Sequence, residues 1–425
     1  MRVTILTQGS RGDVQPCVAL GVGLQQAGHQ VKVATHQLFE NLVRDRGLDF
    51  VTIDGDPSQW HQQEEWTQAS DRGLSWVKAD SERLLGMGED NLDRLWQACQ
   101  ESDLILWVPV FVVCARMADA LGIPSMGINP YPNSPTQTFA CPWISGRWLD
   151  GPNVYNWLTW VVGHQVYWQL LRKTVNDWLW KNLQQPKVSW LGPYREAVEI
   201  GKTPMLFGFS PSLLPKPKDW PDWLYVTGCW FLDPPANWSP PTDLVEFLAA
   251  GSPPIYIGFG SIASDRPEAM TELVLEALSL TGQRGILDVG WGSMAVPVEN
   301  QDSDLLWIQG TLHSWLFPQV SGVVHHGGAG TTSTGIAAGT PPIVVPTFGD
   351  QFLWGQQIVK LGLGSRILKT QLTAESLASA IETLVSDRTI RDTARAFSQK
   401  LQAEDGVTEA VELLHRYVEN WQAKN

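Results

Sequence analysis

A histidine pair followed by closely set glycines and threonines, His325-His326-Gly327-Gly328-Ala329-Gly330-Thr331-Thr332, carries the clearest chemistry in this chain. It follows a short apolar run, Gly322–Val324, of the kind that forms a buried strand, and it opens a stretch of helical character. Small residues at Gly327, Gly328 and Gly330 let a ligand approach the backbone closely. A helix N-terminus adds unpaired N–H groups and partial positive charge. That combination suits a diphosphate, with a histidine at the mouth of the turn as a further donor and Thr331 and Thr332 supplying hydroxyls. The competing reading is a dinucleotide-binding turn. Gly328-Ala329-Gly330 lacks a third glycine at the required offset, and Gly9–Gly12 also fails the pattern. The strand reaching Ala34-Thr35-His36 closes without the acidic residue that would hold a ribose, so a dehydrogenase is set aside.

Such a turn needs a parallel sheet behind it. Val3–Thr7 reads as a strand followed by a glycine-rich turn, with a helix from about Gln15 to Ala27 that Gly28 ends. Gln30–Ala34, Phe50–Ile53, Leu104–Val108 and Ile123–Ile128 continue the alternation. Between about 150 and 190 the rhythm breaks: Val154, Trp157, Leu158, Val161, Val162 and Trp168 recur at helical spacing, with Trp160, Tyr167 and Leu170 on the opposite side. A helix apolar on both sides is buried or faces something apolar, and this one reads as a helical insertion. Residues 231–242, rich in proline and without periodicity, read as a linker. Strands then resume at Ile255–Gly258, Gly285–Val289, Leu305–Ile308, Gly322–His325 and Pro342–Val345. The expected organisation is an α/β N-terminal domain over 1–230, a second α/β domain over 243–405, and a helix over 406–425. That last helix would pack across the cleft or onto the first domain.

Composition narrows the partners. A chain of 425 residues fits two domains of roughly 200 residues each. Its net charge of −14 argues against nucleic acid, which requires a concentrated basic face. It also disfavours a purely electrostatic hold on anionic lipid, while leaving hydrophobic contact with a membrane surface open. Five scattered cysteines, with no paired spacing, predict neither a disulfide framework nor a zinc site and point to the cytoplasm. Met1–Thr7 turns polar too early for a signal peptide, and no apolar run is long enough to span a bilayer. The 22 tryptophans have two readings: packing, or an aromatic surface for a greasy partner.

Gly9-Ser10-Arg11-Gly12-Asp13-Val14-Gln15-Pro16 resembles the N-terminal signature of sterol 3-β-glucosyltransferases and glycopeptide-antibiotic glycosyltransferases. Three further segments resemble their donor-binding half in the same order: Trp315–Pro318, the His325–Thr332 segment, and Pro346-Thr347-Phe348-Gly349-Asp350-Gln351-Phe352-Leu353-Trp354-Gly355. The resemblance implies the GT-B fold, two Rossmann-like domains facing across a cleft, with acceptor on the first and nucleotide sugar mainly on the second. It also implies inversion at the anomeric carbon without a metal or cofactor, and the sequence has no Asp-x-Asp motif placed for a divalent ion. UDP-glucose is the implied donor, although dTDP-sugars use the same loops.

Inverting transfer needs a base for the acceptor proton and separate stabilisation of the leaving diphosphate. Asp13 is the candidate base by its match to the antibiotic enzymes. An Asp at a helix start is often only a cap, and His36 at the end of a strand is held in reserve. Ser10 and Arg11 would stand near the diphosphate, and Ser261 matches the family's phosphate-contacting Gly-Ser turn, unless it merely caps a helix. His325 is preferred over His326 as the diphosphate ligand. Trp291 and Gly292 would border the nucleotide, and the Leu312-His313 region would offer backbone groups to its base. Asp350 and Gln351 are the expected sugar readers, because a carboxylate and an amide together suit a polyol ring. Trp157, Trp160 and Trp168 are the candidate acceptor contacts, for a lipophilic alcohol such as a sterol. The competing functions are a nucleotide-sugar epimerase or hydrolase of the same fold, a natural-product glycosyltransferase using a dTDP-sugar, and a silent sugar-nucleotide binder.

Overall fold

The computed structural model describes residues 1–60, 88–111, 113–142, 151–192, 204–235, 237–260, 266–297 and 302–424. Two compact units emerge: the first holds Met1–Pro57, the described residues from 88 to 233 and residues 405–424, and the second holds residues 58–60 and the described residues from 234 to 404.

The first unit is built on seven strands: β1 (Arg2–Leu6), β2 (Gln30–His36), β3 (Asp49–Ile53), β4 (Leu104–Trp107), β5 (Ser125–Asn129), β6 (Met205–Phe207) and β7 (Leu224–Val226). They lie in the order β3-β2-β1-β4-β5-β6-β7, and every pair is parallel. The second sheet contains β8 (Ile255–Gly258), β9 (Gly285–Asp288), β10 (Leu305–Ile308), β11 (Gly322–His325), β12 (Pro342–Val344) and β13 (Ser365–Arg366). Its order is β10-β9-β8-β11-β12-β13, again parallel throughout. In each sheet the order reverses beside the first strand, between β1 and β4 and between β8 and β11. Connections leave in opposite directions there, which opens a crevice at the carboxyl ends of the strands. The strands are short apolar runs because both faces are covered; β8, β9 and β11 are buried at every position.

Five helices bear on the argument: α1 (Arg11–Gln26), α2 (Asn153–Leu183), α3 (Ala329–Ala337), α4 (Gln351–Lys360) and α5 (Gly406–Gln422). Helix α1 begins a full turn before the expected Gln15. Ser10 is its N-cap, and the Asp13 side chain at the third helical position accepts from the Ser10 N–H. This local closure outweighs Pro16, which lies inside the helix and cannot donate to the Gly12 carbonyl.

Helix α2 accounts for the expected insertion, and its tryptophans are mostly structural. Trp160, Trp168 and Trp178 are buried, and their indole N–H groups donate to Phe139 O (2.9 Å), Ser189 O (3.0 Å) and Asp93 Oδ1 (2.7 Å). Each ring thus buries its apolar body with its one polar atom satisfied.

Helix α5 returns the chain to the first unit. Gly23 of α1 makes room for it, since a Cβ there would stand 2.3 Å from Val407 Cγ1. Tyr417 donates to Ser125 O at 2.9 Å, and His415 Nε2 lies 2.6 Å from His29 Nε2, with the rings edge-to-face. Burial, then the N-terminal ammonium and His415 alongside, hold His29 below the ordinary imidazole range. Folding therefore favours the neutral ring, so its stabilisation is full above about pH 6.5 and fades as pH falls through the lower folded value. The thermal midpoint is expected to drop more between about pH 7.5 and about pH 5.5 in the native chain than in His29→Gln. Circular dichroism melts of both proteins measure this, and equal drops would remove His29 as the acid-sensitive group.

Candidate functional site

In the second unit the carboxyl ends of β8, β9 and β11 bring three turns together. Gly260 after β8 has φ +67°, and a Cβ on it would strike the His326 ring at 2.5 Å. Gly290 after β9 has φ +53°, and a Cβ there would lie 2.2 Å from Gly260 O. The backbone N–H of Trp291 points to that same oxygen at 3.4 Å, which lays Trp291 against the β8 turn. Ser261, the next residue along, lies outside the described residues.

Asp288, at the end of β9, organises this corner and was not singled out from the sequence. Its Oδ1 accepts from the N–H groups of Gly290 (3.0 Å) and Gly310 (3.1 Å), and its Oδ2 from the Tyr256 hydroxyl (2.9 Å). Burial and the Asp288 charge raise the Tyr256 phenol well above its usual range, which keeps it a donor. Tyr256 Oη also lies 3.1 Å from His313 Nε2, and the His313 ring stacks on Phe317 with centroids 4.5 Å apart. His313 is thus held by its side chain at the start of the short helix His313–Leu316, where its carbonyl accepts from the Phe317 N–H.

His325 is deeper than expected. The sequence placed it at the mouth of the turn, but the last residue of a strand buried on both faces turns its side chain inward, and the imidazole is fully buried. Its Nδ1 accepts from the Gly327 N–H at 3.0 Å, which puts the ring proton on Nε2. Nε2 is buried and meets no hydrogen-bond partner among the described residues. Burial, with His326 and His313 adding their repulsion, pushes the ring well below its usual range, so it stays a neutral donor.

The glycines around it are required by space. Gly327 has φ +95°, and a Cβ there would meet Val344 Cγ1 at 2.6 Å; one on Gly328 would meet His326 Nε2 at 2.6 Å. Gly328 caps α3, whose first internal bond runs from the Thr332 N–H to Gly328 O at 2.9 Å. The N–H groups of Ala329, Gly330 and Thr331 therefore have no acceptor within the helix. Among the described residues nothing lies within 4 Å of a Cβ built on Gly330, so none of them fills the space beside this helix start. Thr332 departs from expectation: its hydroxyl donates to Gly328 O and is buried in the cap, leaving Thr331 as the accessible threonine.

Asp350 and Gln351 begin α4, and both are buried. Gln351 Oε1 accepts from Thr347 N (2.9 Å), Thr347 Oγ1 (2.8 Å) and Phe348 N (3.2 Å). Its carbonyl is thus committed to shaping the preceding loop, which corrects the expectation that this amide both donates and accepts toward a sugar. Donation from Nε2 is what it has to offer. Asp350 Oδ2 accepts from Trp354 Nε1 at 2.7 Å, which orients the carboxylate.

In the first unit, Asp13 Oδ2 accepts from the Ser10 N–H (2.8 Å) and the Ser10 hydroxyl (2.9 Å), just after β1 at that sheet's reversal point. Gly9 has φ +116°, and a Cβ there would press on Asp13 Oδ2 at 2.5 Å, so the carboxylate fits only over glycine. Arg11 is exposed, and its Nε donates to Gln15 one helical turn on, at 2.9 Å. His36, the last residue of β2, is fully buried, as His325 is at the end of β11. The acceptor contacts need correction: Trp160 and Trp168 present no surface to a ligand, while Trp157 is 40 % exposed. Among the described residues no group of three or more His, Cys, Asp or Glu side chains is arranged to hold a metal ion.

Comparison with known proteins agrees with this layout. Residues 3–106 match the Glycosyltransferase family 28 N-terminal domain, and residues 311–416 match the C-terminal domain of Erythromycin biosynthesis protein CIII-like proteins. The chain is 35% identical over 433 residues to the Sterol 3-beta-glucosyltransferase of Emericella nidulans, and 37% identical to that of Aspergillus clavatus. Each alignment covers 99% of this chain and 30% of the relative. It is also 35% identical to UDP-sugar-dependent glycosyltransferase 52 of Dictyostelium discoideum, over 98% of this chain and 26% of that one. The chain thus spans about 30% of the length of the sterol relatives it matches. Among solved structures, the glycotransferase of kitacinnamycin superposes with a TM-score of 0.72 at 19% identity, covering 98% of this chain and 99% of that one. Glycosyltransferase VinC in complex with dTDP superposes at 0.67 and 18% identity, covering 99% and 100%. With two parallel Rossmann-like sheets and likeness along nearly all of its length to glycosyltransferases, the chain has the GT-B fold, with an N-terminal domain of the Glycosyltransferase family 28 type and a C-terminal domain of the Erythromycin biosynthesis protein CIII-like type.

Proposed function

We propose that this chain transfers a hexose, glucose from UDP-glucose, to the hydroxyl of a sterol or related lipophilic alcohol, with inversion and without a metal or cofactor. The observation that carries the donor half is the buried His325 Nε2–H, a donor lacking an acceptor, beside a helix start with three more N–H groups and, over Gly330, space that no described residue fills. A diphosphate supplies the missing acceptors, and the helix dipole favours its charge. The acceptor half is supported by the names of the sterol relatives. In the reaction, Asp13 takes the proton from the acceptor hydroxyl as its oxygen bonds to the anomeric carbon. The bond from that carbon to the β-phosphate oxygen breaks, and the electron pair leaves with the UDP. His325 and the N–H groups of α3 meet the charge developing on the phosphate, the arrangement that most lowers such a barrier. Work in the cytoplasm at a membrane surface suits an acceptor that dissolves in lipid.

The dTDP-bound neighbour keeps a thymidine donor as the second reading. Calorimetric titration with UDP, UDP-glucose and dTDP-glucose, followed by transfer assays on a panel of sterols and other lipid alcohols, separates the cases. UDP-glucose is expected to bind and to be consumed only with a lipid alcohol present. No binding by any sugar nucleotide would overturn the reading. Turnover to free glucose without glycolipid would make the chain a hydrolase.

A further inference from the structure

Exposed large apolar side chains are scattered singly over most of the molecule, but eight of the fourteen among the described residues fall between Val154 and Leu191. Val154, Leu158 and Val162 recur every fourth residue on α2, which places them on one face, with Tyr155 beside them. Leu158 is 47 % and Val162 46 % exposed. Gln165 and Gln169 continue the same face, and both donate through Nε2 to Trp190 O, at 2.9 and 2.7 Å. Trp168 holds Ser189 O, and Asn176 pairs with Val188 through both its side-chain atoms, so this returning segment is laid along the helix by hydrogen bonds. Trp190, 60 % exposed, and Leu191 therefore extend the ridge where the helix itself turns polar. The ridge runs for roughly 20 Å at 1.5 Å per residue.

Charge sets this face apart. From Gly151 to Leu171 there is no Asp, Glu, Lys or Arg, in a chain with a net charge of −14. The next residues, Arg172 and Lys173, fall on the ridge face by helical spacing; Lys173 is exposed and ion-paired with Asp177 at 2.9 Å, a surface pair that a headgroup phosphate can replace. Aliphatic side chains, Tyr and Trp at the flanks and a basic pair at one end are what a helix lying in a phospholipid interface requires: apolar atoms below the headgroups, indoles among them, cations at the phosphates. No helix among the described residues is long and apolar enough to cross a membrane, so the contact is one of lying on the surface.

We infer that the α2 face carrying Leu158, Val162 and Trp190 docks this chain on a phospholipid bilayer, with Arg172 and Lys173 at the headgroup phosphates. The inference rests on the proposed lipophilic acceptor for its purpose alone, and its test uses no sugar. The full chain is floated with vesicles of phosphatidylcholine alone and with about 30% phosphatidylglycerol added. Binding is expected to both. Leu158→Glu/Val162→Glu and Trp190→Glu should each lower the partition coefficient at least about tenfold, with unchanged thermal midpoints because the sites are exposed. Arg172→Ala/Lys173→Ala should cost about fivefold or more on the anionic vesicles and little on the neutral ones. Leu280→Glu, a lone exposed residue of the second unit, should bind like the native chain. Absence of vesicle binding, or native-level binding by Leu158→Glu/Val162→Glu and Trp190→Glu, overturns the inference. So does light scattering that shows a dimer which Leu158→Glu/Val162→Glu dissociates, since the face would then be covered by a second copy. Donor titration remains independent of all these outcomes.

Discussion

Asp13→Asn is expected to reduce sugar transfer by about 10²- to 10⁴-fold, the range a general base contributes, while leaving the fold and UDP binding nearly unchanged. The expectation follows from the two tasks this side chain performs. One Asp13 oxygen accepts both Ser10 donors and closes the first turn of α1. The Ser10 cap is held through Oδ2, and a carboxylate can take up a proton on either of its oxygens. Asparagine can set its carbonyl oxygen where Oδ2 stands and keep the cap, but it cannot act as a base. The weaker field at the helix start should cost about 0.3–1 kcal/mol. Asp13→Ala removes both tasks, and its melting point should fall by a further amount worth about 1 kcal/mol.

The pair of variants separates base from cap. If Asp13 serves only the helix, Asp13→Asn retains most of its transfer and Asp13→Ala loses activity in proportion to its stability. If it is the base, the two lose activity alike although only one loses its cap. The acid limb of the kcat/KM profile should also vanish in Asp13→Asn, which a purely structural role does not predict.

What could be read from residue order alone was what rests on local rules. The runs at β8, β9 and β11 are apolar up to their last residues, Gly258, Asp288 and His325, with glycines at or near their ends, so a sheet buried on both faces was legible there. The strands missed, β6, β7 and β13, are two or three residues long and too short for any period. The glycine-rich turn and helix start after β11 were legible because glycine, helix start and histidine converge within eight residues. What lies around it was hidden by distance in the chain. Asp288 reads as an ordinary strand end until Gly290, Gly310 and Tyr256 are seen to meet on it. The Gln351 carbonyl looked available because its partners, Thr347 and Phe348, are backbone and hydroxyl donors with no sequence mark. On α2, spacing showed that both sides are apolar but not which tryptophans face inward. Hydrogen bonds from the helix to Val188, Ser189 and Trp190, in a segment without periodicity, cover part of one face and leave the rest exposed.

Gly330→Ala is the substitution that should separate stability from donor binding most sharply. Gly330 is the second residue of α3, carries no left-handed backbone angle and has no described residue within 4 Å of a Cβ. Alanine therefore fits, and by restricting the unfolded chain it should stabilise the protein by a few tenths of a kcal/mol up to about 1 kcal/mol. The added methyl stands in that space beside the helix start, where phosphate oxygens must come within about 3 Å of the N–H groups. Lengthening those bonds, or losing two charge-assisted ones at about 1.5–3 kcal/mol each, corresponds to a drop in UDP affinity of about 10²-fold or more. Gly327→Ala is the contrasting control, since a side chain there is strained by φ +95° and meets Val344. It should lose stability and affinity together. A higher melting point with a UDP dissociation constant raised by two orders of magnitude, from one methyl group, would place the phosphates over Gly330. A Gly330→Ala protein that binds UDP as tightly as the native chain would move them elsewhere and leave the buried His325 donor without its acceptor.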